Sequence, residues 1–106
     1  MAEEFVRVAK ADEIKDGQTR SFDLGDLRVA LCRVGEEYFA IEDVCTHDGA
    51  PLGEGCLKGF EIECPRHGAR FDVRDGHVTR MPAAAAVDSF TVKVEDGEVF
   101  VKIEDD

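Results

Sequence analysis

Val44-Cys45-Thr46-His47-Asp48-Gly49 and Glu63-Cys64-Pro65-Arg66-His67-Gly68 are the stretches that decide how this chain is read. Each supplies one thiol and one imidazole, as Cys-x-His in the first and Cys-x-x-His in the second. Sixteen residues, Asp48 to Glu63, separate His47 from Cys64. That span is long enough to form a loop, return along a strand and set the second pair beside the first. Four candidate ligands, Cys45, His47, Cys64 and His67, therefore converge from two loops.

Two thiolates and two imidazoles could hold a zinc ion or the two ends of a [2Fe-2S] cluster. A zinc finger usually pairs Cys with Cys and His with His along the chain. Here each loop carries one of each, which suits a diiron cluster with both thiolates on one iron and both imidazoles on the other. Gly49 and Gly68 follow the two pairs, where the backbone must bend and its N–H groups could face bridging sulfides.

With these residues in view, the chain resembles the Rieske ferredoxins. The matching residues are Cys45-Thr46-His47, Cys64-Pro65-Arg66-His67-Gly68, Phe71-Asp72 and Met81-Pro82-Ala83, the last at the place of the family's proline loop. The resemblance covers nearly the whole chain. It implies a Rieske-type 2Fe-2S cluster bound by Cys45, His47, Cys64 and His67, with the two histidines as the electron exit. It also implies the ferredoxin component of a bacterial aromatic-ring-hydroxylating dioxygenase system. Such a component is a one-electron carrier from a flavin-dependent ferredoxin reductase to a terminal Rieske non-haem iron oxygenase, and is not itself an enzyme. Two other readings stand beside it: a small Rieske subunit of an assimilatory nitrite reductase-like complex, and a zinc-stabilised interaction domain.

The departures from high-potential relatives are informative. Respiratory Rieske proteins carry an extra Cys in each ligand loop, joined as a disulfide, and the matching positions here are Ala50 and Arg66. They also place a Ser and a Tyr after the second pair, where this chain has Ala69 and Phe71. Hydroxyl donors to sulfur stabilise the added electron, so their absence predicts a potential near the bottom of the Rieske range of roughly −150 to +300 mV. Ferric iron acidifies bound imidazole, so the potential is expected to fall with pH above the oxidised-state histidine pKa.

The 106 residues suffice for one domain, residues 1–106, with the cluster-binding part at approximately 43–83. Leu, Ile, Val and Phe make up about a quarter of the chain, so the net charge of −11 does not signal disorder. That charge argues against nucleic acid as a partner and suits proteins with basic docking faces. Met1-Ala2-Glu3-Glu4 has neither a basic n-region nor an apolar h-region, and no apolar run reaches membrane-spanning length. The expectation is a cytoplasmic monomer with no membrane tether and no disulfide framework.

Short strands separated by turn signals predict an all-β fold: a small Rieske-like antiparallel β-sandwich or barrel, with a cluster-binding subdomain of two ligand loops and a proline loop. Phe5 to Ala9 reads as a first strand and Ala11 to Ile14 as a helical turn at most. Ser21–Leu24 and Leu27–Val34 form a hairpin about Gly25-Asp26, and Tyr38 to Ile41 leads into the first ligand loop. Asp48 to Lys58 is expected to be irregular. Phe60 to Glu63 alternates and delivers Cys64, so the ligand loops are expected to cap neighbouring strands. Asp75-Gly76 predicts a two-residue hairpin between Arg70–Val73 and His77–Thr79. Ala83 to Ala86 reads as a connection over the cluster. Val87–Glu95 and Glu98–Ile103 form a final hairpin about Asp96-Gly97.

Three residues remain. Cys32 reads as a buried apolar residue, Cys56 as a loop thiol that packs, and His77 as a solvated strand residue. After the cluster, His77 is the only histidine left, which cannot build the two-His, one-carboxylate iron site of an oxygenase.

Overall fold

Antiparallel pairing accounts for every sheet. The computed structural model describes residues 3–24, 27–44, 51–65, 68–81 and 85–104. The strands are β1 (Glu3–Lys10), β2 (Thr19–Leu24), β3 (Leu27–Val34), β4 (Glu37–Glu42), β5 (Cys56–Lys58), β6 (Glu61–Glu63), β7 (Arg70–Asp72), β8 (Val78–Arg80), β9 (Ser89–Phe90), β10 (Val92–Glu95) and β11 (Glu98–Glu104). They form three sheets, ordered β1-β11-β10, β2-β3-β4-β9 and β5-β6-β7-β8. Short 3₁₀ turns at Ala11–Glu13 and Leu52–Glu54 interrupt the connections.

The central strand β3 explains the layering. Its run Val29-Ala30-Leu31-Cys32 is buried on both faces, in keeping with an apolar stretch without polar alternation. Val29 and Leu31 join Ala40, Val99 and Val101 in one core, shared with the β1-β11-β10 sheet. Ala30 and Cys32 join Ile41, Ile62, Cys64 and Phe71 in the other, shared with the β5-β8 sheet. The β2-β3-β4-β9 sheet thus carries a core on each face, and successive residues of β3 serve opposite cores.

Most expected hairpins form. Leu24 pairs with Leu27 across Gly25-Asp26, two residues outside the described set. Glu95 pairs with Glu98 across Asp96 (φ 53°) and Gly97 (φ 76°), the left-handed pair that a two-residue type I′ turn requires.

Four expectations are corrected. Residues 48–58 are not irregular throughout, because Leu52–Glu54 is a 3₁₀ turn and Cys56–Lys58 is a strand pairing with Glu61–Glu63. Gly59, at φ 60°, supplies the turn between them. Val87–Glu95 is not one strand: β9 pairs with β4, whereas β10 pairs with β11, so the chain changes sheets at Thr91. The Asp75-Gly76 turn is longer than two residues, since β7 ends at Asp72 and β8 begins at Val78. Side chains close that longer loop: Asp72 accepts the Arg74 N–H at 2.9 Å and Asp75 accepts the His77 N–H at 3.1 Å. Finally, β4 and β6, which lead into the two ligand loops, lie in different sheets and meet through their shared core.

Candidate metal centre

Cys64 follows β6 directly, and Ile62, two residues earlier, points into the core that β6 shares with β3 and β4. The Cys64 side chain lies in the same core and is 1% exposed. Its N–H donates to the Ala69 carbonyl at 2.7 Å, and its own carbonyl accepts the Gly68 N–H at 3.2 Å. These two bonds hold Gly68 and Ala69 against Cys64. Gly68 sits at φ 77°, a conformation that L side chains rarely adopt, so the glycine is needed there for these bonds to form.

Ala69 and Phe71 are fully buried beside Cys64 and offer no hydroxyl donor. Leu52 enters the same cluster from the 3₁₀ turn, and Val44 packs against it from the other side. The start of one candidate ligand segment and Cys64 of the other are therefore built on a common apolar floor.

Charged groups line the outer side of the β5-β8 sheet. Arg70 donates to Glu63 at 3.1 Å and to Glu61 at 3.4 Å, and Lys58 lies 3.6 Å from Glu63. Burial pushes the Glu63 carboxyl up, but the Arg70 hydrogen bond and the Lys58 and Arg70 charges outweigh it and hold that carboxyl below its usual range. Arg70 pairs in register with Glu63 on one side and Arg80 on the other. Met81, 80% exposed, therefore leaves the sheet at the same end as Cys64.

The described set includes Cys64 but not Cys45, His47 or His67, which lie outside it together with Thr46, Asp48, Gly49, Ala50, Arg66 and Pro82 to Ala84. Among the described residues no group of three His, Cys, Asp or Glu side chains could hold a metal. The other cysteines separate clearly. Cys32 is fully buried, 3.3 Å from the Thr19 hydroxyl, and burial pushes its thiol up to about 12. Cys56, expected to pack, is instead exposed on β5, opposite Glu63, and faces a groove that Glu13, Thr19 and Arg20 also line. Three residues cannot bury both faces of so short an outer strand. His77 is exposed as expected, but in the loop before β8, with Nδ1 2.5 Å from Asp75 Oδ1.

Sequence reasoning missed Asp43, a buried carboxylate two residues before Cys45 that accepts the Gly53 N–H at 2.6 Å. It follows Glu42 directly, between Ile41 and Val44, so no local signal set it apart from a surface acid.

Cys64, the one proposed ligand among the described residues, fits a Rieske cluster. Cys64 is an unpaired, buried thiol in an apolar setting, suited to a soft iron–sulfur ligand and not to a disulfide. Comparison with known proteins supports the same cofactor. The family model described as "Rieske [2Fe-2S] domain" matches residues 4–91. Ferredoxin CarAc of Metapseudomonas resinovorans is 39% identical over 98 residues, covering 92% of this chain and 92% of that protein. The solved ferredoxin of carbazole 1,9a-dioxygenase from Nocardioides aromaticivorans IC177 superposes with a TM-score of 0.89 at 38% identity, covering 92% of this chain and 95% of that one. The ferredoxin in a complex of reduced oxygenase and oxidised ferredoxin of carbazole 1,9a-dioxygenase superposes with a TM-score of 0.86 at 39% identity, covering 92% and 91%. This chain belongs to the Rieske [2Fe-2S] family, and its role is that of a ferredoxin carrying electrons on a Rieske-type cluster.

Proposed function

We propose that this chain is the ferredoxin component of an aromatic-ring-hydroxylating oxygenase system. It accepts one electron from a flavin-dependent ferredoxin reductase and delivers it to a terminal Rieske non-haem iron oxygenase. The observation that carries this reading is the near-full-length likeness to a ferredoxin solved on its oxygenase. The carrier acts as a cytoplasmic monomer built as a single domain, residues 1–106, with its cluster-binding part at about 43–83.

Cys45 and Cys64 would hold one iron of the cluster, and His47 and His67 the other. The cluster, when bound, takes up and returns a single electron. The chain's own residues set the conditions. Ile62, Ala69 and Phe71 keep water from the Cys64 side of the site. Neither the Ala69 nor the Phe71 side chain can donate a hydrogen bond to sulfur, which supports a low potential. Lys58 and Arg70, held by Glu63, present an ordered charged surface at the end where Cys64 emerges, and Met81 offers an apolar contact there. The net charge of −11 favours encounter with a basic face on a partner, an attraction that added salt weakens.

The test is an anaerobic redox titration followed by EPR, then stopped-flow reoxidation by a terminal oxygenase of this class. A low-average-g signal, a midpoint well below zero and rapid reoxidation are expected. A redox-silent protein with stoichiometric zinc would return the site to the zinc reading, and a midpoint far above zero would overturn the argument from Ala69 and Phe71.

A further inference from the structure

Asp43 has a fully buried side chain, a costly place for a carboxylate unless something nearby uses it. Its Oδ1 accepts the Gly53 N–H at 2.6 Å. Its Oδ2 accepts no hydrogen bond from the described residues and lies 3.7 Å from Arg28 Nη2. Arg28 is half exposed and also engages Asp23 at 3.1 Å, so it only partly offsets the buried charge.

The backbone around this carboxylate is pinned at both ends. The Asp43 N–H donates to the Arg28 carbonyl on β3 at 2.9 Å. Gly53 lies so close to β2 that a Cβ there would fall 2.1 Å from Ser21 Oγ. Leu52, beside it, is wholly buried. Between these two anchors run residues 44–52, the segment containing Cys45 and His47. One side-chain hydrogen bond therefore ties together the two ends of the segment whose sequence contains half of the assigned ligands. A loop held at both ends loses less conformational freedom when its ligands engage a metal, and a fixed span aims them.

We propose that Asp43 is a positioning residue for the first ligand pair: its carboxylate clasps Gly53 and fixes the span of the segment that delivers Cys45 and His47. Cys64 is delivered independently by β6. The inference rests on the assignment of Cys45 and His47 as ligands.

The test compares holo-protein of the wild type with Asp43→Asn and Asp43→Ala. The readouts are the half-time of cluster bleaching under chelator, the EPR line shape and the thermal midpoint. Asn keeps an oxygen acceptor for the Gly53 N–H, whereas Ala removes it. Asp43→Ala is expected to bleach about tenfold faster or more, the scale of outer-shell effects on metal sites, with a broadened EPR signal. Asp43→Asn is expected to restore both readouts to near wild type, a rescue that a role of the charge alone would not give. Equal acceleration in both variants, or wild-type behaviour in Asp43→Ala, overturns the clasp.

Should Asp43→Ala fail to fold, Gly53→Ala tests the same bond from the other side. Its Cβ would collide with Ser21 Oγ and draw the Gly53 N–H away from Asp43. Adding Ser21→Ala removes that oxygen and is expected to slow bleaching again, and no recovery overturns the clasp. A wild-type protein that binds no cluster would refute the ligand assignment itself. A cluster-bearing wild type with an indifferent Asp43→Ala refutes only the clasp.

Discussion

Replacing Gly55 by Ala should disturb the metal centre without touching any ligand. Gly55 has φ −88°, so backbone preference does not demand glycine there. Space does: a Cβ at this position would lie 1.9 Å from the carbonyl oxygen of Glu63. Ordinary contact begins at 3.4 Å, so one backbone must retreat by about 1.5 Å. The yielding partner is either the start of β5 or the end of β6, and the residue after Glu63 is Cys64. Forcing a methyl into such packing costs about 1–3 kcal/mol. For a domain near 100 residues, each kcal/mol lowers the thermal midpoint by about 4–8 °C, so a fall of roughly 10 °C is expected. The control is Gly59→Ala, where φ is 60° but no atom lies within 4 Å, so only backbone strain is felt. The assay is thermal melting of both holo-proteins by circular dichroism, together with the visible spectrum of the cluster. Gly55→Ala should melt lower and alter the visible spectrum, whereas Gly59→Ala should leave the spectrum unchanged. A Gly55→Ala protein within about 2 °C of wild type with an unaltered spectrum would refute the reasoning, since that shift is under half a kcal/mol.

Three further outcomes are expected. The Arg74 hydrogen bond holds the Asp72 carboxyl below its usual value against the opposing effect of burial. A lowered folded-state pKa contributes stability that is present above the unfolded value near 3.9 and is lost as pH falls through the folded value. Arg74→Gln should therefore lower the urea midpoint at neutral pH and shrink its decline below about pH 4, and a decline as steep as wild type would count against this. In native holo-protein, iodoacetamide should label Cys56 and spare Cys32, whose thiol burial pushes up to about 12, as peptide mass spectrometry can read; labelling at Cys32 before unfolding would contradict its burial. The midpoint potential should lie in the lower part of the Rieske range of roughly −150 to +300 mV, and protein-film voltammetry placing it in the upper half would show that other donors replace the missing hydroxyls.

Much of the architecture was legible because strong local signals agreed with the tertiary arrangement. Asp96-Gly97 encodes a turn by its backbone preferences alone, and the β-rich run Leu27–Val34 reads as a hairpin strand, while its burial on both faces came only from the fold. Cys64 at a strand end followed from the alternation of Glu61, Ile62 and Glu63. What escaped the sequence depends on long-range contact. No local pattern separates β9 from β10, because Thr91 looks like any strand residue and only the two different partners, β4 and β11, divide the run. β5 is three residues long and owes its existence to β6. The approach of Gly55 to Glu63, and of Gly53 to Ser21, joins segments whose proximity only the folded sheets create. Asp43 looked like one more surface acid in an acidic chain, and its burial follows from the same closure.

The first and last strands described are neighbours, Glu3 facing Glu104 and Lys10 facing Glu98. The β5-β8 sheet, by contrast, is a meander completed within residues 56–80. The meander's pairings are local in sequence, whereas β1 with β11 joins the two ends of the described chain, so the meander closes the shorter loops and is expected to form first on refolding. The residues around Cys64 then assemble early, and the distant pairing of β1 with β11, which closes the other core, is the later step.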